Sequence, residues 1–160
     1  MFLHSPIDEL DSGKHRTTGL PSSITLSQKT GLLQKRSPGK FWFPNRYTYS
    51  VSGTVADESY EACIAREMLE EIGISVPFRR LFKIPCIREN KGAYHTIFSG
   101  RCSEEAASLI RHDLEEATSI EWVELEELHR AVKAEPGNYT PALREGIIKI
   151  FKEGCEKYLF

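Results

Sequence analysis

The residues whose types and spacing could do chemistry fall in one short stretch, Glu58 to Ile74, where Glu58, Arg66, Glu67, Glu70 and Glu71 precede Gly73. At 100° per residue, Ala62, Ile64, Ala65, Met68, Leu69 and Ile72 share one face of a helix, while Arg66, Glu67, Glu70 and Glu71 share the other. Glu67 lies three residues before Glu70 and four before Glu71, so like charges meet on that face, each pair costing roughly 0.2–0.5 kcal/mol in an isolated helix. A cation should offset them. Arg66, four residues before Glu70, can hold one carboxylate. The remaining carboxylates offer hard oxygens of the kind that suits Mg²⁺ or Mn²⁺ rather than zinc. A Glu-rich helix is ordinarily a solvated surface, and this chain has 19 glutamates. At the chain's own residue frequencies, however, the pattern E-x7-R-E-x-x-E-E-x-G is expected by chance on the order of 10⁻⁴ times. Chance is a poor explanation.

A helix from Glu58 to Ile72, stopped by Gly73 in a left-handed cap, would carry these groups. Short strands before it should pair antiparallel, with turns at Lys29-Thr30-Gly31 and Ser37-Pro38-Gly39. Two strands follow, at 81–87 and 94–102, in the simplest case as a meander. Then come a short helix within 103–117, a strand at 119–125, a helix at 124–134 and a last helix with Pro141 near its first turn. Strands on both sides of one central helix, without regular alternation, predict an α+β or α/β/α sandwich built on a mixed sheet. Residues 1–19 have no period and read as an N-terminal arm, leaving 20–160 as the domain.

Composition narrows the function. The 160 residues, 40% hydrophobic and 28% charged, bury enough core to fold as one domain without structural metal. A net charge of −2 supplies no field for a nucleic-acid polymer. The four cysteines show neither C-x-x-C nor zinc spacing and read as reduced thiols. No signal-like start and no 18-residue apolar run occur, so a cytoplasmic protein outside the membrane is expected.

The acidic segment resembles the Nudix box, G-x5-E-x7-R-E-U-x-E-E-x-G-U with U apolar. Glu58, Arg66, Glu67, Met68, Glu70, Glu71, Gly73 and Ile74 match it. One position departs: Ser52 stands six residues before Glu58, and Gly53 five before. The similarity continues through Leu33-Gln34-Lys35-Arg36-Ser37, Lys40, Pro44, Glu116 with Trp122-Val123, and Tyr139-Thr140-Pro141. This is the subgroup that includes isopentenyl diphosphate isomerases and their hydrolase relatives, and the likeness covers roughly residues 20 to 155. It implies a Nudix-type α/β/α sandwich and metal-dependent hydrolysis of the diphosphate linkage in a nucleoside diphosphate-X compound, with Mg²⁺ or Mn²⁺ as cofactor. It implies metal-binding roles for Glu67, Glu70 and Glu71, an orienting role for Arg66, and a place for Glu58 at the helix start. It leaves room for a homodimer.

Within that reading, Glu67 or the distant Glu116 is the candidate base, with Glu115 as Glu116's alternative. Arg36 and Lys40 are candidate phosphate clamps, and Gly53 lies in the substrate-side loop. Phe41, Trp42, Tyr47 and Tyr49 read mainly as core, and His95 as a structural strand residue. An isomerase is disfavoured, because the subgroup's Cys-Gly-His appears as Ser52-Gly53-Thr54, without thiol or imidazole, and Lys91 and Ala93 stand where that enzyme has Glu-x-Glu. A diphosphate-binding sensor without turnover is the other alternative.

Overall fold

The computed structural model describes residues 15–25, 28–88 and 91–154. Seven strands form one mixed sheet: β1 (His15–Thr25), β2 (Gln28–Arg36), β3 (Tyr47–Tyr49), β4 (Val51–Val55), β5 (Phe78–Arg88), β6 (Lys91–Cys102) and β7 (Ala117–Glu124). The order is β3-β2-β1-β6-β5, with β4 also pairing β1 and β7 also pairing β2. β1 and β6 run parallel; the other pairs are antiparallel. Both faces of β6 are covered, so Ile97 and Phe98, adjacent in sequence, are buried in opposite layers.

On one face lies α1 (Tyr60–Glu67), continued by a π-helical turn (Met68–Ile72). Ile64, Met68 and Ile72 pack there with Val51, Val76 and Phe98. On the other face, α3 (Leu125–Ala134) and α4 (Pro141–Lys152) bury Leu128, Val132, Leu143, Ile147 and Ile150 against Leu33, Tyr49 and Ile97. The short α2 (Glu104–Ser108) lies between β6 and β7. The helix starts are chemically marked: Ser59, Ser103 and Thr140 each accept a backbone N–H three residues on, and Pro141 occupies the first turn of α4. Gly73 ends the π turn at φ 73°, a conformation that costs glycine little.

The expected sandwich and mixed sheet are present, with local corrections. The turn expected at Lys29-Thr30-Gly31 lies inside β2, because the β1–β2 connection falls earlier, after Thr25. Residues 15–19, read as part of an arm, pair along both β4 and β6. The remainder of that arm, 1–14, lies outside the described residues, as does Cys155. Leu69, placed by ideal helix phase on the core face, is 58% exposed. The wider π turn shifts the phase of residues after Glu67. Of the aromatic residues read as core, Tyr49 is fully buried, whereas Phe41 and Trp42 are exposed in the loop after β2.

Candidate active site

The Ser59 cap fixes where α1 starts, and so aligns Glu58, just ahead of it, with Arg66 two turns later. The Arg66 guanidinium gathers three carboxylates: it donates to Glu58 Oε1 at 2.6 Å, Glu67 Oε1 at 2.8 Å and Glu70 Oε2 at 3.0 Å. It also approaches Cys63 Sγ at 3.6 Å. The hydrogen bond from Arg66 lowers the Glu58 pKa below the ordinary carboxylate range. Burial raises Glu67, and Arg66 opposes that rise only in part.

Glu71 is held differently. Located in the π turn, it faces the sheet, where Gln34 Nε2 donates to Oε2 at 2.7 Å and the Ser52 N–H to Oε1 at 3.3 Å. The same Gln34 amide donates to the Ser50 carbonyl, which anchors it between β2 and β4. Burial pushes the Glu71 pKa up to about 8; these two donors oppose the shift, and nearby Glu67 and Glu116 add to it.

These carboxylates open onto a cavity of about 440 Å³ lined by Ser52, Gly53 and Thr54 of β4, by Glu67, Glu70 and Glu71, and by Asp113 and Glu116 of the segment before β7. Gly53 allows a close approach: a Cβ there would overlap the Glu67 side chain, which would have to shift. Ser37 ties the far wall to β2, its N–H donating to the Glu116 carbonyl at 3.1 Å and its Oγ to the Glu115 carbonyl at 2.8 Å. Lys40 pairs with the Glu116 carboxylate.

Among the described residues, five acidic side chains and no basic one line the cavity. An anionic substrate could enter only with cations to offset that charge, and carboxylate oxygens are the donors that hard divalent ions prefer. Among the described residues, no three His, Cys, Asp or Glu side chains are already gathered round one point. Arg66 instead draws Glu67 and Glu70 to itself. The chemistry of the donor set fits a divalent ion, and Glu67 and Glu70 would exchange Arg66 contacts for ion contacts.

Comparison with known proteins decides the family. The NUDIX domain model matches residues 17–143.

The chain belongs to the Nudix family.

A protein of Methanosarcina mazei named prenyl-diphosphate phosphatase is 88% identical over 153 residues, covering 96% of this chain and 90% of the relative. An isopentenyl-diphosphate Delta-isomerase of Dinoroseobacter shibae is 30% identical over 118 residues, covering 71% and 67%. The crystal structure of a MutT protein from Methanosarcina mazei shares the fold at TM-score 0.71 and 19% identity, covering 88% of this chain and 94% of the other. This protein is thus a Nudix hydrolase, an enzyme acting on a diphosphate linkage.

Of the residues singled out in this Nudix sequence, Gly53, Glu67, Glu70, Glu71 and Glu116 meet at the cavity. Glu58 and Arg66 stand behind them as an ion pair. Arg36 does not line the cavity; its Nε donates to the Trp42 carbonyl at 2.9 Å and braces the following loop. Glu115 is exposed, and its N–H closes a turn on Asp113 Oδ1 at 2.8 Å. His95 is 3% exposed within β6, away from the cavity lining. Gln34, Ser52, Thr54 and Asp113 were not among the candidates. Gln34 carried a signal as a polar strand residue between apolar Leu32-Leu33 and the expected clamp Arg36, and Ser52 and Thr54 did so by flanking Gly53 at the isomerases' thiol and imidazole positions.

Proposed function

We propose that this Nudix hydrolase removes phosphate from prenyl diphosphates, with divalent ions, Mg²⁺ or Mn²⁺, held by Glu67, Glu70 and Glu71. The carrying observation is the cavity of about 440 Å³ whose lining includes five carboxylates. The relative at 88% identity supports the prenyl group over the nucleoside expected from the wider family. Ser52 and Thr54, in place of the isomerases' thiol and imidazole, support hydrolysis over double-bond movement: a hydroxyl cannot supply that acid chemistry near neutral pH.

Bound at those glutamates, divalent ions would neutralise the phosphate oxygens and acidify the attacking water. Arg66 keeps Glu58, Glu67 and Glu70 in register. Gln34 and the Ser52 N–H hold the Glu71 carboxyl against the sheet. Glu116, which lines the cavity with the alternative base Glu67, would take the proton from water, and Lys40 beside it would move from Glu116 to a substrate phosphate. Water attacks phosphorus, the phosphoanhydride bond breaks, and a prenyl phosphate and inorganic phosphate leave.

The test is phosphate release from prenyl, nucleoside and sugar-nucleotide diphosphates with Mg²⁺, Mn²⁺ or chelator. Metal-dependent release from the prenyl compounds, lost on Glu71→Gln, is expected. Turnover of nucleoside diphosphate compounds alone would overturn the substrate assignment. Metal-dependent binding without release from any compound would favour the sensor instead.

A further inference from the structure

Among the described residues, the cavity that would hold the diphosphate is lined by five carboxylates, Ser52, Gly53 and Thr54, a mostly polar wall. A hydrocarbon attached to that diphosphate meets no large apolar side chain of the described residues inside it. Exposed apolar side chains adjoin, along the chain, residues of this charged wall and the Lys40 that pairs with it. Leu114, 73% exposed, stands between Asp113 and Glu116, both of which line the cavity. Phe41, 85% exposed, follows Lys40, whose ammonium pairs with Glu116, and Trp42, 41% exposed, meets the Phe41 ring edge-on at 4.9 Å between centroids.

These side chains are presented by a braced loop. Arg36 Nε fixes the Trp42 carbonyl, the Arg36 N–H donates to the Arg46 carbonyl at 2.9 Å, and the Asn45 N–H returns to the Arg36 carbonyl at 3.1 Å. Phe43 and Asn45 adopt left-handed φ of 52° and 61°, and Arg46 lies over the Phe43 ring at 5.2 Å. Non-glycine residues in that region cost energy and persist where surroundings hold them there. Ser37 joins this loop to the segment bearing Leu114 through the Glu115 and Glu116 carbonyls. Large apolar side chains held out in water beside a charged cavity forgo burial that would stabilise the fold.

Resting on the prenyl-diphosphate reading, we infer that Phe41, Trp42 and Leu114 form the seat of the substrate's hydrocarbon chain and set the enzyme's preference for chain length. The headgroup enters the acidic cavity and the chain lies across the rim, covering the three side chains. Specificity then follows area: each further isoprene unit removes more hydrocarbon from water until the rim is spanned.

The experiment measures kcat/KM for prenyl diphosphates of five, ten and fifteen carbons in the full chain, comparing wild type with Phe41→Ser/Trp42→Ser/Leu114→Ser and with Leu114→Ser alone. In wild type, kcat/KM rises with chain length. In the triple variant the ratio between fifteen and five carbons falls about tenfold, the single variant lies between, and Trp42→Phe, which keeps an apolar ring, retains the ratio. An unchanged ratio in the triple variant overturns the inference, as does a Trp42→Phe enzyme that behaves like the triple variant. If the triple variant only loses binding to phosphatidylglycerol vesicles, or only loses a concentration-dependent dimer, while keeping the ratio, the rim serves a membrane or a second copy and the inference fails. Absence of turnover of every prenyl diphosphate by wild type is a separate result, the failure of the proposed function.

Discussion

Glu71→Gln should do two opposite things to this enzyme: abolish turnover, and stabilise the metal-free fold at alkaline pH. Glu71 has a folded-state pKa pushed from 4.5 up to about 8 by burial. Because the folded value lies above the unfolded one, the folded protein retains a proton between those values that the unfolded chain releases. The group's favourable contribution is therefore fully present below pH 4.5 and is lost as pH rises through about 8. At about 1.36 kcal/mol per pKa step, that interval sets a ceiling of about 5 kcal/mol, and solvent screening with local relaxation brings the expected effect to about 2–4 kcal/mol. Glutamine carries no charge and keeps one acceptor, for either Gln34 or the Ser52 N–H. Measured with chelator present, the melting temperatures of variant and wild type should lie close together near pH 5 and separate by about 5–12 °C in the variant's favour near pH 9. Added Mg²⁺ should raise the wild-type melting temperature and leave the variant's nearly unchanged, while phosphate release falls by at least about a hundredfold. A stability difference that does not change with pH, or a variant within tenfold of wild-type turnover, would refute the argument that a buried carboxyl is kept at a cost in stability for an ion.

Three further outcomes follow from named contacts. Gly53→Ala places a methyl inside the Glu67 side chain, so the Mg²⁺ concentration for half-maximal activity should rise about tenfold in a metal titration; an unchanged titration would show that Glu67 moves without consequence. Lys40→Met removes the partner of Glu116, and KM for the diphosphate should rise about tenfold while the melting temperature shifts by no more than about 2 °C, because a partly exposed ion pair contributes little stability. Gly146→Ala overlaps the Tyr49 hydroxyl, which donates to the Ala142 carbonyl at 3.1 Å in the core under α4, and should cost about 1–3 kcal/mol by urea denaturation; a variant as stable as wild type would mean that Tyr49 has room to move.

The acidic helix was legible because its evidence is local. Spacing along one helix sets which of Glu67, Glu70 and Glu71 share a face, and Gly73 ends it as read, while Ser59 caps it and the helix begins at Tyr60 rather than Glu58. The sandwich and the mixed sheet were legible for a similar reason, since apolar runs and turn residues are counted along the chain. The slips were also local: Lys29-Thr30-Gly31 has turn composition but sits within β2, because pairing with β1 and β7 overrode composition there. Leu69 moved out of the core because the π turn is a departure from 3.6 periodicity that no residue type announces.

By itself, then, the sequence determined the family, the mixed α/β class and the carboxylate helix, all properties of short spacings and side-chain chemistry. Only the tertiary structure decided which distant groups complete the site. It brought Gln34 and the Ser52 N–H to Glu71, put Lys40 on Glu116 rather than leaving it free to face a phosphate, and turned Arg36 to the Trp42 carbonyl. It also left Phe41, Trp42 and Leu114 in water beside the cavity, where aromatic and leucine content alone predicts burial. The physical reason is that contacts such as Gln34 with Glu71 and Lys40 with Glu116 join residues dozens of positions apart through sheet register and loop bracing, and register is set by the packing of whole layers rather than by the neighbours of any one residue.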